Sequence, residues 1–164
     1  MREVGVSSVR GETTAARRGR LLNAENATLL LALLGAVDAA YLTFVHYDRS
    51  ALVCTVGSCH TVQSSRYAVI AGIPIAILGL GMYLAVIALG LARRARPEWT
   101  SSIGLATFAI LLAGTVYAAY LTYIEIWVIH AICQYCVASA LLTLALLVIE
   151  GTGVYRRLME VPEE

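Results

Sequence analysis

Four long apolar stretches, residues 27–45, 74–91, 103–124 and 131–149, leave this chain few ways to fold. A hydrocarbon core of ~30 Å is crossed by roughly 20 apolar residues in helical form, because a helix satisfies its backbone N–H and C=O groups within the segment. Each stretch is close to that length, and together they use nearly half of the 164 residues. With 59% hydrophobic and only 14% charged residues, the chain falls outside the range of an ordinary soluble domain. The expected fold class is an all-α membrane protein, one bundle of four transmembrane helices over residues 26–150. Residues 1–25, rich in Arg, Gly, Ser and Thr, read as a disordered tail, and residues 151–164 as a second, exposed one.

The net charge of +1 names no partner, but its placement orients the chain. Arg17, Arg18 and Arg20 precede the first stretch, Arg93, Arg94 and Arg96 follow the second, and Arg156 and Arg157 follow the fourth. Basic residues gather on the cytoplasmic side, so both termini are expected there. The two remaining loops carry only Arg49 and Arg66 and are expected to be extracytoplasmic. A cleaved signal peptide is the competing reading of the first stretch. That stretch is longer than a usual signal core, and no small-x-small site follows before His46.

Cys133 and Cys136 open the fourth stretch as Cys-Gln-Tyr-Cys. On a helix, cysteines three apart share a side, so their sulfurs can pair or separate with little backbone movement. A helix start also favours thiolate over thiol. The bland alternative is two small buried thiols or a fixed bridge. Cys54 and Cys59 lie in the first outward loop with Gly57 between them, a spacing that suits a flexible loop. With four spans, all four cysteines emerge on one side. Three pairings are possible. A mobile pair able to visit a fixed pair is the arrangement that thiol–disulfide exchange requires. Zinc binding by four thiolates is disfavoured by the oxidising compartment and the absence of a second CxxC, so no metal is expected.

Residues 35–45 and 114–124 match at seven of eleven positions, and the offset of 79 between them also separates Cys54 from Cys133. This suggests a duplicated unit of span, loop and dithiol. Asp38 is an acid well inside the first apolar stretch and should face the bundle, as a ligand contact, a proton route or an interhelical hydrogen bond. Gly79 and Gly81 are expected to let another helix approach closely. Pro74 is expected to begin the second helix.

The loop pair Cys54/Cys59, Ser65 within Ser64-Ser65-Arg66-Tyr67, Gly72-Ile73-Pro74 before the second span and Cys133-Gln-Tyr-Cys136 at the last span together resemble the vitamin K epoxide reductase family. The resemblance implies a four-helix bundle whose extracytoplasmic loop or short helix covers a redox site beside a quinone, whether menaquinone, ubiquinone or a vitamin K-like ring. It implies that Cys54 meets a thioredoxin-like partner, that Cys59 then attacks Cys133, and that Cys136 reduces the quinone. Ser65, Tyr67 and Asp38 are the candidate quinone contacts. The implied location is a bacterial cytoplasmic membrane, with the partner expected to be a separate protein. Ala140 departs from the animal members, which have tyrosine at that place. The other bacterial quinone-linked disulfide-forming enzyme carries its CxxC in the first outward loop, the reverse of the order here. The non-enzymatic alternative is a tetraspan scaffold or transport protein with two static disulfides.

Overall fold

A computed structural model describes residues 4–159 and contains the four expected spanning helices, whose candidate spans are Asn23–Tyr47, Ile75–Ala95, Pro97–Ile129 and Gln134–Arg156. The protein is thus a multi-pass membrane protein. Helix α1 runs from Val4 to Tyr47 and the short α2 from Cys59 to Gln63. A minimal hairpin, β1 (Val69–Ile70) against β2 (Ile73–Pro74), leads into α3 (Ile75–Ala95). Helix α4 (Thr100–Ile124) continues as a π-helical turn, Glu125–Ile129, before α5 (Gln134–Met159). Neighbours pack in a ring, α1 on α3, α3 on α4, α4 on α5 and α5 back on α1.

Several boundaries differ from the sequence expectation. Residues 4–25 are helical rather than a disordered tail, because the Ala-, Arg- and Leu-containing stretch without proline propagates a helix that the first span has already nucleated. Likewise α5 continues past residue 150 to Met159. Residues 1–3 and 160–164 of the two expected tails lie outside the described residues. Pro74 precedes α3 and pairs with Val69, instead of being the first helical residue. Ala71 and Gly72 both have positive φ, 49° and 84°, the geometry of a tight primed hairpin turn.

The helices turn most of their surface outward, and a thin seam of small residues joins them. Ala32, Ala36 and Ala39 of α1 face Tyr83 and Val86 of α3, with Leu111 and Leu146 completing the cluster. Close approach occurs at Gly35, where a Cβ would collide with the Tyr83 ring, and at Gly114, where it would strike Met82. These glycines are equivalent in the apparent repeat, and they grip adjacent residues of α3 from its two sides. Gly79 and Gly81, expected to form this seam, are not its tight points: a Cβ at Gly79 would only touch Ala39 at 3.9 Å, and one at Gly81 would meet open space. The helix face, not composition, decides which glycine is pressed.

The Tyr83 hydroxyl crosses the bundle, 2.9 Å from Thr143 Oγ1 and 3.0 Å from the Ser139 carbonyl oxygen to which it donates. At the end remote from the cysteines, buried Arg93 pairs with Glu150 at 2.8 Å, and Thr28 donates to the same carboxylate at 3.2 Å. One polar lock therefore joins α1, α3 and α5.

Candidate functional site

Helix α5 begins one residue after Cys133, whose carbonyl accepts the Val137 N–H at 3.0 Å. Cys133 is thus the N-cap, and Cys136 stands in the first turn rather than both lying inside the helix. An N-cap side chain receives the orphan N–H groups of that turn. Here the Cys133 sulfur accepts from the Cys136 thiol first of all, and from the main-chain N–H groups of Cys136 and Tyr135. These donors hold the Cys133 thiol below its ordinary range, the Cys136 S–H contributing most and burial opposing.

The π turn decides what lies beneath this pair. Its first residue, Glu125, accepts the Ala131 N–H on its carbonyl at 3.0 Å, and His130 closes the turn in the left-handed region with φ 54°. The turn folds the Glu125 side chain back, so that Oε2 accepts the Cys133 N–H at 3.0 Å. Only 4% of Glu125 is exposed. It was missed in the sequence because it stood at the end of the third apolar stretch, next to interfacial aromatics. The available signal was its isolation, since no other acid occurs between Glu98 and Glu150.

Cys54 and Cys59 form a disulfide of 2.13 Å, while Cys133 and Cys136 are free thiols. The loop that carries the bridge is seated on the start of α5. Tyr41 donates to the Ala51 carbonyl at 3.0 Å and accepts the Val53 N–H at 3.0 Å, and Tyr135 donates to the Val53 carbonyl at 2.7 Å. Gln134 Oε1 receives both Thr55 Oγ1–H, at 3.0 Å, and the Val56 N–H, at 2.9 Å. Ser58 N–H donates to the Ile132 carbonyl at 2.9 Å. Gly57 has φ 89°, and a Cβ there would run into that same carbonyl oxygen, so only glycine permits this approach.

The outcome is an ordered placement of sulfurs. Cys59 and Cys133, both 0% exposed, share one buried cluster with Val45, Leu52 and Val62. Cys54 and Cys136 are half-buried at the edges of that cluster. All four predicted cysteines therefore meet at one end of the bundle.

Cys136 also faces a cavity of about 340 Å³. Its apolar walls include Leu42 and Ala39 of α1, Leu78 and Met82 of α3, and Ile110 and Leu121 of α4. His46, Gln63 and Glu125 line it as well. Ser65 and Tyr67 both line this cavity too. The Ser65 hydroxyl, however, donates to the Val62 carbonyl at 2.7 Å, leaving it only an acceptor toward the cavity. Tyr67 accepts from Arg66 at 3.0 Å. Asp38 is not on the cavity wall; its Oδ2 is buried without a hydrogen-bond partner among the described residues. Ala140, the departure noted in the sequence, lines the cavity.

Two comparisons relate the chain to known proteins. The sequence model of the vitamin K epoxide reductase family matches residues 26–150. The thiol-disulfide oxidoreductase LTO1 of Arabidopsis thaliana is 34% identical over 117 residues, covering 67% of this chain and 31% of that protein. The chain thus spans about a third of the length of that relative.

Proposed function

The chain belongs to the vitamin K epoxide reductase family, and from that premise we propose that it is a membrane thiol oxidoreductase passing electrons from an extracytoplasmic thiol protein to a quinone. The observation that carries this reading is the shared buried cluster of Cys59 and Cys133, with Cys54 at its outer edge and Cys136 on the cavity wall.

Each sulfur has a role set by its surroundings. Cys54, the reachable member of the loop bridge, is attacked by the partner's thiolate, and Cys59 leaves as thiolate. The partner's second thiol then releases Cys54 and takes up the bridge. Cys59 attacks Cys133 of the oxidised helix pair, displacing Cys136, and Cys54 closes on Cys59 to restore the loop disulfide. The state after this exchange has the loop bridge closed and the helix thiols free, the arrangement described above. The partner is of thioredoxin-like chemistry, with two vicinal thiols.

The cavity suits a quinone head. Its walls are predominantly apolar, as a flat carbon ring requires, and residues with polar groups capable of meeting ring carbonyls line it. When bound, the quinone supplies a two-electron acceptor. His46 and Gln63 are the candidate donors to its oxygens, with Ser65 and Tyr67 shaping the same wall. Menaquinone and ubiquinone both fit this chemistry. The loop side is assigned to the extracytoplasmic face, from the arginine distribution and the need for an oxidisable partner.

The test is oxidation of a thioredoxin-like dithiol by purified protein in detergent, with and without a menaquinone or ubiquinone analogue. Quinone-dependent oxidation is expected, abolished by Cys136→Ala in a protein that still inserts. Full turnover in that variant, or none in the native protein with either quinone, would reject the reading.

A further inference from the structure

Glu125 has no part in the relay above, yet it is the only acid among the described residues lining the cavity that Cys136 faces. The residue is 4% exposed, its carboxyl holds the Cys133 N–H at 3.0 Å, and it stands beside the Cys136 thiol on the same cavity. Burying a carboxyl in an apolar helix end is costly. The bond to the Cys133 amide does not require a charge, since a neutral carboxamide oxygen would accept it equally well. What an acid adds at this place is a site for a proton between the sulfur and the cavity.

We infer that Glu125 is a catalytic residue of the quinone step, carrying a proton from the Cys136 sulfur to a quinone oxygen. This rests on the quinone reading given above. The helix pair begins with Cys133 as thiolate and Cys136 as thiol. Forming the Cys133–Cys136 S–S bond breaks the Cys136 S–H bond, and the electron pair passes to the quinone. The proton goes to Glu125 and from there to one ring oxygen. One further proton from outside water completes the quinol, and Glu125 ends as the carboxylate with which it started.

The test compares native protein with Glu125→Gln, which keeps the acceptor for Cys133 and removes the acid. The full chain in detergent is reduced, freed of reductant and mixed with a short-chain ubiquinone, and a single turnover is followed by quinone absorbance. In parallel, Cys136 is alkylated with iodoacetamide in the absence of quinone. Positioned acid–base groups contribute at least about 100-fold, so a fall of that order in the quinone step is expected. Alkylation should stay as fast as in the native protein or become faster, because no carboxylate then opposes the thiolate. A quinone step within threefold of native would overturn the proposal, as would alkylation slowed in parallel, the mark of a merely structural role. Should Glu125→Gln fail to insert, Glu125→Asp is used; it keeps the acid and is expected to retain at least about a tenth of the native rate. A carboxylate variant that inserts but has lost the quinone step altogether also counts against the assignment. Native protein that reduces no quinone sinks the underlying reading instead, a result distinct from native turnover with an unaffected Glu125→Gln.

Discussion

The carboxamide of Gln134, between the two helix cysteines, accepts the main-chain N–H of Val56, between the two loop cysteines, at 2.9 Å. The same oxygen also takes the Thr55 hydroxyl at 3.0 Å. This side chain is therefore one of the contacts that seat the loop bridge on the helix pair. Two hydrogen bonds of roughly 1 kcal/mol each bias the docked loop by at least about tenfold. Gln134→Ala is accordingly expected to slow transfer from Cys59 to the helix pair by roughly tenfold. Quenched-flow thiol trapping measures that transfer. The quinone step from a pre-reduced helix pair should be unchanged, and equal slowing of both steps would contradict the role assigned to Gln134.

The shared burial of Cys59 and Cys133 predicts which sulfurs exchange. In Cys54→Ser/Cys136→Ser protein, mild oxidation should join Cys59 to Cys133 and give a single cross-linked peptide pair by mass spectrometry. The companion Cys54→Ser/Cys133→Ser protein should join Cys59 to Cys136 far more slowly. Comparable yields in the two variants would mean that the buried cluster does not select the partner sulfur.

The donors around the Cys133 sulfur set a pH dependence. Because its thiol is held below the ordinary cysteine value of about 8.5, thiolate persists as pH falls past that value. Its stabilisation of the reduced protein is complete above the unfolded-state value and is lost as pH falls through the depressed one. Cys136→Ala removes the first of the donors and should move the Cys133 titration upward. Ultraviolet thiolate absorbance in a Cys54→Ser/Cys59→Ser background measures it; a titration that does not move would show that the Cys136 thiol is not the principal donor.

Stability should depend on the polar contacts inside the bundle. Tyr83→Phe removes the hydroxyl that meets Ser139 and Thr143 and is expected to cost roughly 1 kcal/mol. Arg93→Met leaves the Glu150 carboxylate buried without its cation, at a cost of about 3 kcal/mol or more, whereas Arg93→Met/Glu150→Met should recover most of it. Thermal unfolding in detergent ranks the three. If the double variant is no more stable than the single, the pair is not the lock described here.

The spans and the two cysteine pairs were legible because each is a local property. An apolar stretch must hydrogen-bond its own backbone in lipid, and four such stretches bring the first and third loops to one end. The start of α5 was less legible. Residues 131–133 are as apolar as the helix that follows, but the left-handed turn at His130 and the extended pairing of Cys133 with Gly57 delay the helix to Gln134. The tight glycines were misplaced for a related reason. Gly79 and Gly81 lie on the same helix as Tyr83, while the residues pressed by Tyr83 and Met82 are Gly35 and Gly114 on its neighbours.

By itself the amino-acid order determined a four-span chain with two dithiols at one end, since hydropathy and spacing act through adjacent residues. Only the tertiary structure decided that Cys59 and Cys133 are the buried pair, that Cys136 looks into a cavity, and that Glu125 rather than Asp38 is the acid beside it. Those facts depend on where a π turn and a docked loop place side chains dozens of residues apart, and no periodicity along the chain encodes such a meeting.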